Sequence, residues 1–222
     1  LKWLDEKELD DQPFFLYMAY TAPHYPLHAW PEDIARYKGK YDGGYAEIQK
    51  ARYQKMVDMK LIDPEKTPFV AMDNSMWTKL SGMKLEKEKM RMEIYAAMLD
   101  RVDQNVGKLL KKLKDQDKID NTLIMFASDN GSSPEVIDKK TRSTKLEDFG
   151  KVASYESVGE NWATVQNTPL RKWKSYSHEG GVNTPFIVSW PKMIKEVGGY
   201  NASPGHFIDI MATLVDLTGA EY

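Results

Sequence analysis

Between Glu86 and Lys114, the residues Tyr95, Leu99, Val102, Val106, Leu109 and Leu113 recur at spacings of four and three. That period places them on one face of a long helix whose other face is charged. Asp120 and Asn121 then turn the chain into the apolar run TLIMFAS (122–128), a helix-to-strand connection as short as those of α/β units. A one-sided helix feeding a buried strand needs further strands beside it and helices over the sheet.

The remaining sequence offers both. Pro13 followed by FFLYMAY (14–20) reads as a second buried strand, and PFIVSW (185–190) as a third. HFIDIMATLVDLTG (206–219) reads as a closing helix, with Ser203-Pro204 at its start and Gly219 at its stop. This order predicts an α/β fold with a mainly parallel sheet flanked by helices. Residues 22–85, rich in proline and tyrosine with a helical pattern near 45–60, read as an inserted excursion. Residues 132–168 are polar and poorly periodic and read as an irregular loop. The opening, LKWLDEKELDDQ (1–12), is amphipathic and charged.

Composition narrows the partners. With 41% hydrophobic residues among 222, the chain can bury a substantial core. A net charge of -2 gives no general pull toward nucleic acid or an anionic membrane, so anion binding needs a local site. Cysteine is absent, which removes thiolate metal sites and cysteine nucleophiles from this chain. No apolar run reaches the roughly 18 residues of a membrane span.

Three constellations carry chemistry. The strand 122–128 ends on Asp129, Asn130 and Gly131, where an α/β sheet places its ligand sites. A carboxylate beside a carboxamide can aim two oxygens at a hard cation, but Asp-Asn-Gly is equally an ordinary turn. His24 stands in Thr-Ala-Pro-His-Tyr-Pro (21–26), where flanking prolines restrict the backbone, consistent with an anion-binding or catalytic imidazole or with a histidine stacked in a rigid turn. The stretch LRKWKSYSHEGG (170–181) sets Arg171, Lys172 and Lys174 beside aromatic rings and a double glycine, a local cradle for an oxyanion. It is too short, in too acidic a chain, for a nucleic-acid surface. Phosphate-loop, dinucleotide and Gly-x-Ser-x-Gly signatures are absent.

Five blocks in order, PFFLYMAYTAPHYPLHAWPEDIARYKGKYDGGY, IYAAMLDRVDQNVGKLL, TLIMFASDNG, NTPLRKWKSYSHEGGVNTPFIVSWP and HFIDIMATLVDLTG, resemble the sulfatase family, specifically bacterial arylsulfatases. The resemblance implies an alkaline-phosphatase-like α/β sandwich, of which this chain would be one catalytic-domain piece, acting on a small-molecule sulfate ester, aryl or carbohydrate. It implies that Asp129 and Asn130 are one pair of ligands to a Ca2+ ion holding the sulfate group. His24 then resembles the histidine that contacts the ester and can protonate the leaving alcohol. Lys174 resembles the lysine that binds the sulfate oxygens. His178 falls among the substrate-binding residues with Arg171 nearby, and Glu179-Gly180-Gly181 serves backbone geometry.

The family's nucleophile is a formylglycine made from Cys or Ser in a Cys/Ser-x-Pro-x-Arg motif, which this chain does not contain. That motif and the Asp-Asp pair completing the calcium site lie upstream in family members. The expectation is an internal segment, inactive alone; the bacterial arylsulfatases it resembles are often exported to the periplasm or beyond, but nothing in this chain reads as a compartment signal. Asn183 stands where many sulfatases have Arg. Two further readings stay open: a phosphoryl or phosphonate ester hydrolase of the same superfamily, against which the Lys174 block argues, and a non-catalytic interaction segment that self-associates through apolar patches.

Overall fold

The computed structural model describes residues 13–137 and 139–221, so the amphipathic opening 1–12 lies outside the described residues. In chain order the elements are α1 (Pro31–Ala35), α2 (Gly44–Asp58), α3 (Ser75–Thr78), α4 (Gly82–Asp115), β1 (Ile124–Ala127), α5 (Gly159–Asn167), α6 (Glu179–Val182), β2 (Phe186–Ser189) and α7 (Phe207–Thr218). The long helix, the helix near 45–60, the strands at 122–128 and 185–190 and the closing helix stand where periodicity places them.

The core forms where α4 meets α5 and the segment 22–50. Leu27, Tyr45, Met92, Ile94, Met98, Phe149, Val158, Trp162 and Val165 make one buried cluster. Trp162 is its hub. Tyr45, Tyr41 and Trp77 pack edge-on against it with ring centroids 4.8, 5.8 and 5.9 Å away, geometry that adds to the gain from burial. Its indole N–H donates to Glu88 O at 3.0 Å, so the ring is buried without an orphaned donor. The excursion is therefore part of the core rather than a decoration. α1 is fastened to α4 by Asp33, 1% exposed, whose carboxylate takes Arg101 at 2.6 Å and Arg36 beside it. Arg101 also lies over the Trp30 ring, 4.1 Å from its centroid.

Four sequence expectations need correction. The run 14–20 is not a buried strand: it has no ladder partner among the described residues, and Phe15 and Tyr17 are 74% and 81% exposed. Apolar composition signals a wish for burial but supplies no neighbour to grant it. The described strand pair is antiparallel, Ile124 opposite Ser189 and Ala127 opposite Phe186, so the parallel register does not hold for these strands. The chain returns through α5 and α6 and enters β2 from the opposite end. The region 132–168 is not all loop, since α5 occupies 159–167 and its short turns carry Trp162 into the core. On α4 the expected Val102 and Leu113 are buried, but toward the N-terminal half the buried face runs through Ile94, Ala97 and Met98 and leaves Leu99 exposed, because α1 and the Trp162 cluster cover that side.

The closing helix α7 opens at His206, the first residue of the expected 206–219 helix, and Ser203-Pro204 lies just before it. His206 N donates to Asp209 Oδ2 at 2.7 Å while its Nδ1 accepts from Ile208 N at 3.2 Å, a reciprocal capping box. Gly219 ends the helix at φ +65°, the left-handed conformation glycine takes without strain.

Candidate active site

β1 delivers Ser128, Asp129 and Asn130 at its carboxyl end. The Ser128 hydroxyl donates to Asn130 O at 3.0 Å and tightens the turn. Gly131 follows at a place only glycine fits: a Cβ there would lie 1.7 Å from Gly180 O. Gly180 is equally constrained, its Cβ position being 2.0 Å from Lys172 O. These contacts stack the turn after β1 directly on the loop 171–176. Gly131 N donates to Gly181 O at 3.2 Å, and Lys174 N to Ser132 O at 3.1 Å. Asn167, the last residue of α5, clamps both layers: Nδ2 donates to Lys172 O (2.9 Å) and Gly180 O (2.7 Å), and Oδ1 accepts from Ser132 N (3.1 Å).

The clamped loop brings two distant residues together. Lys174 Nζ lies 3.3 Å from His24 Nε2 and 3.0 Å from Glu135 Oε1. His24 Nδ1 is 2.8 Å from Tyr25 O, and a carbonyl only accepts. This assigns the hydrogen to Nδ1, so in the neutral ring Nε2 offers its lone pair to the Lys174 ammonium. The Tyr25 ring stacks at a tilt on the His24 imidazole, centroids 4.1 Å apart, and Lys174 Nζ sits 5.8 Å from the centre of the same ring. Glu135 is fixed on two sides, its carboxylate taking the Ser133 hydroxyl and its carbonyl accepting from Ser157 Oγ at 2.6 Å. Burial works against the charge of Glu135, but the Ser133 hydroxyl and Lys174 outweigh it and hold the carboxyl below the usual carboxylate range.

The other anticipated residues stand apart from this contact. Asp129 is exposed and Asn130 partly so; among the described residues no hydrogen bond or ion pair engages either side chain. No group of three or more His, Cys, Asp or Glu that could hold a metal ion gathers among the described residues. His178 precedes α6, its carbonyl accepting from Gly181 N at 2.8 Å and Val182 N at 3.2 Å. Its Nδ1 is buried without a hydrogen-bond partner, and its ring meets Tyr176 edge-on at 6.0 Å. Glu179-Gly180-Gly181 is the close-packed backbone turn expected of it. Asn183 donates from Nδ2 to Glu179 Oε2 at 3.0 Å and so pins that turn. Glu135 and Asn167 escaped the sequence reading, since a lone carboxylate in SSPEV and a lone amide before Thr-Pro carry no motif.

A family model described as Sulfatase matches residues 1–220. The chain is similar to the arylsulfatase of Klebsiella aerogenes, 33% identical over 221 residues, or 95% of this chain and 47% of that protein. An uncharacterized sulfatase of Schizosaccharomyces pombe is 36% identical over 197 residues, covering 83% of this chain and 35% of that one. In three dimensions the chain is similar to the crystal structure of Ps i-CgsB in complex with k-i-k-neocarrahexaose, with TM-score 0.58 and 27% identity over 100% of this chain and 32% of the other. It spans about half or less of the length of each.

Proposed function

The chain belongs to the sulfatase family, and on that premise we propose that the whole protein hydrolyses sulfuric esters, this segment supplying the side of the site that grips the sulfate. The observation that carries the reading is the contact of Lys174 with His24 at the mouth of the clamped loop. Lys174 holds the sulfate oxygens as a point charge, with the donors that Glu135 leaves it. As its ammonium turns to the sulfate, His24 Nε2 is released, takes up a proton from solvent and delivers it to the departing alcohol oxygen, while Nδ1 keeps its bond to Tyr25 O. The sulfuryl group passes to a nucleophile from elsewhere in the protein as its bond to the alcohol oxygen breaks, and that oxygen keeps the bonding pair and gains the proton.

Asp129 and Asn130 fit part of a Ca2+ site, since their side chains carry hard oxygen donors that no described residue engages, two of the roughly 6–8 that calcium takes. When bound, the ion would offset sulfate charge, and formylglycine elsewhere in the protein would supply the nucleophile. Calcium-loaded whole protein bearing formylglycine is expected to turn over an aryl sulfate, and Lys174→Ala to abolish most of that rate. Wild-type protein inert toward aryl sulfates but active on phosphate esters would move the assignment to phosphoryl transfer.

A second reading concerns the 222-residue chain by itself. Phe186 and Ile187 on β2 are 50% and 60% exposed, with Phe207, Ile208 and Met211 on α7 also exposed. Apolar surface of this kind favours self-association of the isolated chain.

A further inference from the structure

Glu135 poses a problem for any site that must attract an anion. Its carboxylate lies 3.0 Å from the lysine assigned above to the sulfate, where it competes with the substrate's charge. A carboxylate so fixed, by Ser133 through its side chain and by Ser157 through its backbone, does not swing away freely. The Lys174 backbone is tied as well, to Ser132 O. Two of the three ammonium donors point at fixed acceptors, Glu135 Oε1 and His24 Nε2. An anion oxygen taken by Lys174 would lie within about 6 Å of Glu135 Oε1, since each hydrogen bond spans roughly 3 Å. The field at that oxygen comes from a nearly neutral pair.

Resting on the reading that Lys174 contacts the transferred group, we infer that Glu135 is a specificity-determining residue: by fixing Lys174 and cancelling most of its charge, it biases the cradle toward monoanionic sulfate esters and against dianionic phosphate monoesters. The two ester classes are near-isosteric, so shape separates them poorly and charge must do so. A sulfate monoester carries one negative charge, whereas a phosphate monoester gains its second near pH 6. The Glu135 carboxylate therefore opposes the dianion about twice as strongly as the monoanion, while the ammonium beside it still holds either. Discrimination by such an element is built from repulsion as much as attraction.

The test compares whole, calcium-loaded wild-type protein with Glu135→Gln and Glu135→Asp, using an aryl sulfate and an aryl phosphate with the same leaving group. Glu135→Gln keeps an oxygen for Lys174 and removes the charge. The ratio of kcat/KM for sulfate over phosphate is expected to fall about tenfold at pH 8, the order of a unit charge at this range after solvent screening. The change should shrink below pH 5, where the phosphate ester becomes monoanionic, and Glu135→Asp should retain most of the wild-type ratio. Calorimetry gives a readout free of turnover: an aryl phosphonate should gain affinity relative to an aryl sulfonate in Glu135→Gln. A ratio unchanged at both pH values, with parallel losses on both substrates, overturns the inference and leaves Glu135 a structural tether. Failure of the wild-type protein to turn over the sulfate overturns instead the reading on which it rests.

Discussion

Lys174 Nζ reaches within 3.3 Å of His24 Nε2 although the two residues are 150 positions apart in the chain. The contact depends on the loop that carries the lysine, clamped by Asn167 onto the turn after β1. The residues on either side of the lysine show how tightly this loop is wound, with Lys172 at φ +65° and Ser175 at φ +74°.

If Lys174 and His24 act as one device, their losses should not add. In the whole protein, Lys174→Ala and His24→Ala are each expected to lower kcat/KM on an aryl sulfate by about 10²–10³-fold, typical of removing one group that stabilises developing charge. The double variant should be little worse than the weaker single, as for residues that work together. Multiplicative losses would show two independent roles.

The stacking of turn on loop makes a sharp prediction about glycines. A Cβ at Gly180 meets Lys172 O and Arg171 O at 2.0 and 2.6 Å, backbone atoms that cannot rotate aside. Gly180→Ala should cost about 3 kcal/mol by denaturant unfolding, the upper end of overpacking penalties. Gly107, inside α4, is the control: a Cβ there meets nothing within 4 Å. Gly107→Ala should stabilise by about 0.5–1 kcal/mol through helix propensity alone.

Asp33 links stability to pH. Burial pushes its pKa up, but hydrogen bonds and charge from Arg101 and Arg36 outweigh it and leave the carboxyl below the usual range. With the folded pKa depressed, its contribution is present above the unfolded value of about 3.9 and is lost as pH falls through the folded pKa. Asp33→Asn should therefore destabilise by about 2–3 kcal/mol at pH 7, reduced from the full cost of an orphaned buried charge because both arginines reach water. The difference from wild type should narrow toward pH 3 in thermal melts.

How far these features were legible follows from where their causes lie. Helix α4 and strand β1 declare themselves through local periodicity, and Asp129-Asn130 through position at a strand end. Gly131 reads from sequence as a turn residue, yet its strictest requirement is the carbonyl of Gly180, a partner far along the chain. Glu135 matters because of Lys174, and Phe15 and Tyr17 stay exposed because no described strand lies beside them. The short helix α5 shows too few turns for its period to stand out, although Trp162 within it organises the core.

Calcium should distinguish the segment from the whole. In the 222-residue chain, Asp129 and Asn130 offer two oxygens and no cluster of further acidic or histidine groups joins them among the described residues, so titration calorimetry is expected to give a Kd weaker than about 1 mM, below even loosely built sites. Submillimolar binding abolished by Asp129→Ala would mean that other groups of this chain complete the shell.

The exposed faces of β2 and α7 set the behaviour of the isolated chain in solution. Phe186 and Ile187 lie on a strand whose one described neighbour is β1, which leaves an edge and apolar side chains open together. Such an edge invites pairing with another chain, and inward or edge charges are the usual defence. Sedimentation velocity on the 222-residue chain should show concentration-dependent association. Ile187→Lys should shift the distribution toward monomer without changing the helical circular dichroism signal, because Ile187 contributes little to the Trp162 core. A wild-type chain that stays monomeric across micromolar concentrations would show that these side chains are covered by a rearrangement within the chain.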